Sequence, residues 1–109
     1  MESIDGCVEG QGLIDGGRDA SGARVVKLIG EIDVANADAL GEKLDGLIGA
    51  DDARLVVDLS ALEFIDSSGI AMLLRAARRV DSIAMRNPTD VVRRIIECTG
   101  LVDTLHIES

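Results

Sequence analysis

Residues 54–77 read RLVVDLSALEFIDSSGIAMLLRAA, and this stretch contains the two kinds of element that decide the fold. Residues 54–59 form a short apolar run, which is typical of a β-strand buried on both faces. Residues 66–69 then open a helix with an acid-serine-serine-glycine sequence. The apolar positions that line one side of this helix are Ile70, Leu73, Leu74 and Ala77. A buried strand followed closely by an amphipathic helix is typical of parallel sheets.

The same alternation extends toward the N-terminus. Residues 24–30 are rich in β-branched side chains and end at a glycine, which predicts a strand. Asn36 is the predicted N-cap of the next helix, and Asp38 in its first turn suits the helix dipole. The glycine-rich residues 1–22 are predicted to hold a first short strand, at about residues 10–14, and a turn over residues 15–18.

Toward the C-terminus the pattern is weaker but continues. Residues 82–86 are a poorer strand candidate, and Asn87 followed by Pro88 predicts a helix with Pro88 at its first position. Gly100 is predicted to end that helix. Residues 101–107 are predicted to pack back as a tail or a short final helix. The connection between the second helix and Asn87 is short, so either that helix ends early or the fourth strand is stunted.

The predicted order β-β-α-β-α-β-α indicates an α/β protein. We expect one domain over residues 1–109, with a mixed, mostly parallel sheet of four to five strands and helices packed against it. A length of 109 residues leaves no room for two independent cores. Because the chain has a single aromatic residue, we expect an aliphatic core of Val, Ile, Leu and Ala.

Charge and composition exclude several classes of partner. The formal net charge is −9, with 11 Lys and Arg against 20 Asp and Glu. Nucleic-acid binding is disfavoured, because it normally requires clustered basic residues that displace counterions. We expect no membrane span and no signal peptide, and hence a cytoplasmic protein whose partners are other proteins.

The sequence carries no pattern of a cofactor, metal or catalytic site. Cys7 and Cys98 fit neither a metal motif nor a redox pair, and we expect both to be reduced. The acid-serine-serine-glycine motif differs from the GxSxG nucleophile elbow. The only histidine, His106, lies in the tail and is predicted to be a surface residue rather than a catalytic base. We therefore expect no catalysis, no cofactor and no metal.

Three spaced segments resemble one known family. Residues 56–70, VVDLSALEFIDSSGI, are similar to the signature of STAS domains, specifically of the anti-sigma factor antagonists. Residues 28–33, LIGEID, resemble the strand-to-helix segment of that family. Residues 87–101 resemble its last helix and the TGL that follows. The resemblance covers residues 25–107 in the order of the family, which makes it more specific than the short motif alone.

The resemblance implies a partner-switching protein. An unphosphorylated antagonist of this family binds an anti-sigma factor that has a histidine-kinase-like ATPase fold and acts as a serine kinase, and thereby frees a sigma factor. The kinase phosphorylates the serine directly after the aspartate, which is Ser67 here, and the complex separates. A phosphatase of the PP2C type restores binding. The partner surface implied for this chain consists of Asp33, Asp66, Ser67, Ser68, Gly69 and Met72.

The residues themselves leave alternatives open. Asp66 is placed to cap the second helix through the amides of Ser68 or Gly69, and Gly69 would let a partner backbone approach closely. Ser67 could be a serine at a helix N-terminus without a regulatory role, and Asp33 could only cap the turn that follows it. At the level of function, the alternatives are a STAS subunit of another assembly, such as a stress-signalling scaffold or a lipid-transport complex, and a small-ligand sensor.

Overall fold

The computed structural model describes residues 12–50 and 52–108, without the side chains of Val102 and Asp103. Cys7 and the predicted start of the first strand lie outside this range. The strands are β1 Gly12–Arg18, β2 Arg24–Ile32, β3 Arg54–Ile65, β4 Ser82–Arg86 and β5 Ile107–Glu108. The helices are α1 Ala37–Leu47, α2 Ser67–Ala77, α3 Asp90–Cys98 and the four-residue α4 Val102–Leu105.

The five strands form one mixed sheet in the order β1-β2-β3-β4-β5. β1 runs antiparallel to β2, whereas β2, β3, β4 and β5 are parallel to their neighbours. The predicted mixed, mostly parallel α/β fold is therefore confirmed. Because the strands β2 to β4 are parallel, their carboxyl ends meet at one edge of the sheet, and the connections to α1, α2 and α3 all leave from that edge.

The core is aliphatic, as the composition predicts. One cluster of buried side chains joins the sheet to the helices. Its largest fully buried members come from the strands β2, β3 and β4 and from all four helices. These members are Leu28, Ile32, Leu44, Leu55, Leu59, Leu62, Ile65, Met72, Leu73, Met85, Ile96 and Leu105. Phe64, the only aromatic residue of the chain, is 42% exposed and lies outside this cluster. Within the described residues, no helix has both the length and the apolarity that crossing a membrane requires.

β3 is twice as long as the predicted strand over residues 54–59. The pairing of β2 with β3 changes register twice, between Lys27 and Ile29 and again between Gly30 and Glu31. These bulges disrupt the two-residue alternation of side chains. The sequence of the second half of β3 therefore lacks the pattern that identifies a strand. At the first bulge, the Ser60 amide donates to the Asp58 carboxylate at 2.9 Å.

The turn between β1 and β2 lies four residues later than predicted. β1 continues through residues 15–18 with a register shift, and Gly17 there has a φ of 75°. The chain reverses instead at Asp19, whose carboxylate accepts from the Ser21 amide at 2.9 Å and from the Ala23 amide at 3.1 Å. The Ser21 hydroxyl also donates to this carboxylate, at 2.7 Å, and this bond is the main cause that holds the pKa of Asp19 below its ordinary value, followed by the bond from the Ala23 amide.

The start of α3 differs from the sequence prediction. Asn87 is not its cap, because Asn87 adopts a left-handed φ of 54° and its amide donates to the Glu108 carbonyl at 3.0 Å. Asn87 therefore closes the pairing of β4 with β5. The N-cap is Thr89, whose hydroxyl accepts from the Val92 amide at 3.3 Å, and Pro88 precedes the helix. Gly100, with a φ of 74°, follows the C-cap Thr99.

Of the two explanations for the short connection before β4, the structure shows the first, which is that α2 ends early. α2 ends at Ala77 with Arg78 as its C-cap, and β4 has five residues. The Asp81 and Ser82 amides both donate to the Ala53 carbonyl, at 2.7 and 3.1 Å. The first residue of β4 is thus aligned with the first residue of β3, and the weak strand predicted over residues 82–86 is confirmed at those bounds.

A buried carboxylate ties the other end of the sheet together. The Asp52 side chain is fully buried and accepts from the Gly49 amide at 2.8 Å. Two arginines, Arg18 at the end of β1 and Arg24 at the start of β2, form ion pairs with it. The Gly49 amide and these guanidinium groups hold the pKa of Asp52 below its ordinary value of 3.8. Asp52 thereby links the β1–β2 hairpin to the connection between α1 and β3.

We predict that Asp52→Asn lowers the melting temperature at neutral pH, because Arg18 and Arg24 lose their buried partner. The folded-state pKa of Asp52 is depressed, so its contribution is present above the unfolded pKa and is lost as the pH falls below it. The difference in melting temperature between wild type and variant should therefore shrink below about pH 4. Thermal unfolding followed by circular dichroism measures both effects.

Asp45→Asn is the matched control. Asp45 pairs with Arg79 at 3.0 Å, but both side chains are about half exposed, so its loss should change stability little. A melting temperature of Asp52→Asn equal to that of Asp45→Asn at neutral pH contradicts the assigned role of Asp52.

Candidate functional site

Asp66 fixes the N-terminus of α2 at the carboxyl edge of the sheet. One oxygen of its carboxylate accepts from the Ser68 amide at 2.8 Å and from the Gly69 amide at 3.3 Å. The Asp66 carbonyl accepts from the Ile70 amide at 3.0 Å, which is the first intrahelical bond. The predicted capping role of Asp66 is confirmed, and it satisfies two of the amides that a helix N-terminus leaves free.

Ser67 is the first residue of α2 and is exposed. Within residues 12–50 and 52–108, no hydrogen bond engages its hydroxyl. The hydroxyl lies at the positive end of the helix dipole, where a negative charge is stabilised. Ser67 is therefore accessible from solvent, and its hydroxyl can be altered without breaking a hydrogen bond in the described part of the fold.

Asp33 begins the connection between β2 and α1, on the same edge as Asp66. Ile32 and Ile65 end the two neighbouring strands as paired residues, and the Asp66 amide donates to the Ile32 carbonyl at 3.1 Å. The two aspartates that the resemblance assigns to one partner surface therefore lie at the same edge of the sheet. We call residues 33–36 together with Asp66 and Ser67 the Ser67 surface.

The Asp33 carboxylate has a structural role of its own. It accepts from the Ala35 amide at 2.9 Å, and the Asp33 carbonyl accepts from the Asn36 and Ala37 amides at 3.1 and 2.9 Å. The turn-capping alternative for Asp33 is thus observed. Asp33 remains half-buried, so part of its side chain is still accessible from solvent.

Gly69 faces the core, which corrects the prediction that it admits a partner backbone. Gly69 is buried, and a Cβ added there would clash with the Ile65 side chain and lie 2.8 Å from Cγ2 of Ile32. The missing side chain lets α2 approach the ends of β2 and β3. Ser68 is half-buried, and its amide is already bound by Asp66.

Met72 is likewise placed in the core rather than on the partner surface. Its side chain is only 2% exposed, and it forms the floor of a narrow cleft between α1 and α2. Its Cγ would lie 3.3 Å from a Cβ added at Gly41, so the two helices pack closely at this point. Met72 and Gly69 therefore lie beneath the surface at this end of α2 rather than on it, where a partner could contact them.

Sequence reasoning missed two residues of the Ser67 surface. Val34 is 77% exposed in the middle of the loop after β2. Asn36 has the predicted N-cap position of α1, but its side chain makes no capping bond. Its carboxamide oxygen accepts from the Asp33 amide at 2.9 Å, and its nitrogen donates to the Glu31 carbonyl at 2.8 Å. The only signal in the sequence was a pair of apolar residues, Val34 and Ala35, between Asp33 and Asn36.

An open apolar groove of about 720 Å³ lies beside Phe64 and is otherwise lined by α3. Val91, Ile95 and the exposed free thiol of Cys98 contribute to its wall. His106 is exposed, as predicted, and has a φ of 51°. Among the described residues, no hydrogen bond joins His106 to Ser67, and no group of three or more His, Cys, Asp and Glu could hold a metal ion.

We predict that Gly69→Ala lowers the free energy of unfolding by about 1–3 kcal/mol, because the added methyl group clashes with Ile65 and Ile32 in a filled core. Denaturant unfolding measures the change. Gly46→Ala is the control, since Gly46 lies in α1 with nothing within 4 Å of its added Cβ. Alanine should raise the stability there by up to about 1 kcal/mol. Equal effects of the two substitutions contradict the close packing of Gly69.

Known proteins resemble the chain in both sequence and structure. It is 32% identical over 96 residues to the anti-sigma-F factor antagonist RsfB of Mycobacterium tuberculosis, a match that covers 84% of this chain and 77% of that protein. An anti-sigma factor antagonist from Mycobacterium paratuberculosis has a structure that superimposes with a TM-score of 0.75 at 30% identity, covering 87% of this chain and 84% of that one.

A second solved structure supports the fold alone. The anti-sigma factor antagonist SpoIIAA in its unphosphorylated form superimposes with a TM-score of 0.65 at 24% identity, covering 80% of each chain. The family model described as Mlab, STAS domain, matches residues 17–107. This match includes β2, β3 and α2, whose ends form the Ser67 surface. The chain belongs to the STAS domain family.

Proposed function

We propose that this protein is an anti-sigma factor antagonist that is switched by phosphorylation of Ser67. In the unphosphorylated state it binds an anti-sigma factor with a histidine-kinase-like ATPase fold, and this binding frees a sigma factor. The anti-sigma factor phosphorylates Ser67, the complex separates, and a PP2C-type phosphatase restores binding. The observation that carries the proposal is the exposed Ser67 at the capped N-terminus of α2, next to the Asp33 loop.

The similar proteins also support a role as an anti-sigma factor antagonist. RsfB and the protein from Mycobacterium paratuberculosis are both described as anti-sigma factor antagonists, at 32% and 30% identity. Each match covers more than three quarters of both chains. Anti-sigma factor binding is therefore the function that we infer for the whole described domain, and Ser67 is the residue through which we infer its control.

Electrostatics explain how a phosphate at Ser67 would release a partner without unfolding the protein. A phosphoryl group adds about −1.5 to −2 charges at neutral pH. At an exposed helix N-terminus, the dipole stabilises a negative charge by about 0.3–1 kcal/mol. The Asp66 carboxylate repels the phosphate, but the phosphate is exposed, and the high dielectric constant of the surrounding water weakens this repulsion. The fold should therefore tolerate the modification.

A partner pressed against Ser67 would not tolerate the same charge. Removing an unpaired anion from water costs several kcal/mol, and each 1.4 kcal/mol corresponds to a tenfold change in affinity. The loss at the interface thus exceeds the small gain at the helix end. Asp33 and Asp66, which are both half-buried, would contribute their exposed parts to this interface, and Ser68 would contribute at its margin.

One alternative has a specific observation in its favour. The matching family model is described as Mlab, STAS domain, so a STAS subunit of another assembly is the second candidate. In that case Ser67 has no regulatory role. A pull-down from cell extract of the source organism separates the two, because our proposal requires capture of an ATPase with the histidine-kinase-like fold, and the alternative requires capture of a different complex.

We predict that Ser67→Asp weakens binding to the anti-sigma factor by about a hundredfold or more, because it places a charge in the interface. Ser67→Ala should bind within a few fold of wild type. Ser60→Asp is the matched control, since Ser60 is also exposed but lies in the bulge of β3. Titration calorimetry with the purified anti-sigma factor measures all four affinities. Equal binding by wild type and Ser67→Asp contradicts the proposal.

We also predict where the kinase acts. After incubation with the anti-sigma factor and ATP, peptide mass spectrometry should find phosphate on Ser67 and none in the Ser67→Ala variant. Ser68 is half-buried and its amide is held by Asp66, so it is a poorer acceptor. Phosphate on Ser60 or Ser68 with Ser67 unmodified overturns the assignment.

A further inference from the structure

Val34 is the most exposed large hydrophobic side chain among the described residues. It is 77% exposed, compared with 54% for Val91, 42% for Phe64 and 41% for Ile14. Single exposed hydrophobic residues are common and need no special explanation. The position of Val34, and the way its loop is held, distinguish it from the others.

The loop that carries Val34 is fixed on both sides. Before Val34, the Asp33 amide donates to the Asn36 carboxamide at 2.9 Å. After Val34, the Ala35 amide donates to the Asp33 carboxylate at 2.9 Å. The Asn36 side chain also donates to the Glu31 carbonyl at 2.8 Å, which anchors the loop to the end of β2. A side chain on a preorganised loop loses little further backbone entropy when it binds.

Val34 and Ser67 are close enough to lie in one interface. They are connected through the hydrogen bond of 3.1 Å between the Asp66 amide and the Ile32 carbonyl. Val34 is two residues from Ile32 and Ser67 is one residue from Asp66, so this path is at most about 15 Å long. A standard interface buries about 800 Å² on each partner and is therefore about 30 Å across. A partner whose contact area is centred near Ser67 would therefore also reach Val34.

Burying Val34 would favour binding, because in the free protein its side chain is mostly in water. Fully burying a valine is worth enough to change an affinity by about tenfold or more. Residues that dominate an interface are typically anchors of this kind, inserted into a pocket of the partner.

We propose that Val34 is the apolar anchor with which this protein holds its anti-sigma factor, inserted into an apolar recess that lies beside the part of the partner that covers Ser67. This inference rests on the proposed function and adds its main apolar contact. Ser67 then controls release, and Val34 supplies affinity that does not depend on charge.

The test compares four purified proteins: wild type, Val34→Ser, Val91→Ser and Ser67→Asp. Their dissociation constants for the anti-sigma factor with the histidine-kinase-like fold are measured in ADP, so that no phosphoryl transfer occurs. Val91 is the matched control, because it is also an exposed valine but lies on α3 in the groove beside Phe64. Thermal unfolding checks that both serine variants remain folded.

We expect Val34→Ser to weaken binding by about tenfold or more, and Val91→Ser to bind within about twofold of wild type. The weakening by Val34→Ser should persist at high salt, because the contact is apolar. Wild-type affinity of Val34→Ser, together with a large loss for Ser67→Asp, overturns the anchor and leaves the proposed function standing. Equal weakening by Val91→Ser and Val34→Ser also overturns the assignment to Val34. Equal binding by wild type and Ser67→Asp overturns the proposed function, and the anchor with it.

Discussion

The hydrogen bond from the Asp66 amide to the Ile32 carbonyl joins the two connections from which the candidate site is built. It extends the pairing of β2 with β3 by one step beyond Ile32 and Ile65, at the point where each strand ends. Gly69 makes the arrangement possible, because any larger residue would push α2 away from these two isoleucines. The Ser67 surface is therefore positioned by the central parallel pair of the sheet and by one glycine.

This arrangement separates the groups that hold the fold from the groups that remain available to a partner. The Asp66 carboxylate binds the helix amides, and the Asp33 carboxylate and the Asn36 side chain fix the neighbouring loop. Ser67 and Val34 remain exposed on this framework. A charge added to Ser67 therefore acts on whatever covers the surface rather than on the packing beneath it. Such a division suits a regulatory domain that must stay folded in both of its states.

The sequence predicted the sheet, the order of the elements from β1 to α3 and the cap at Asp66, because these depend on local apolar runs and on helix-start chemistry. It predicted a tail or a short final helix after residue 100, and it did not predict β5, whose two residues are too few to carry a strand pattern. It did not predict the length of β3, since the bulges within residues 58–64 break the alternation of side chains. Gly69 and Met72 were misassigned because both follow the exposed Ser67 closely in the chain, and only the packing of α2 on Ile32, Ile65 and α1 reveals that they face inward. Val34 was missed because exposure in a fixed turn is a tertiary property.

The most direct test of this account compares fold and binding in the same sample. Wild-type protein is phosphorylated to completion on Ser67, and its thermal unfolding and its affinity for the anti-sigma factor are measured beside those of the unmodified protein. We expect an unchanged or slightly higher melting temperature together with a loss of binding of about a hundredfold or more. A large fall in melting temperature that accompanies the loss of binding would show that phosphorylation acts by disrupting the fold rather than by placing a charge in the interface.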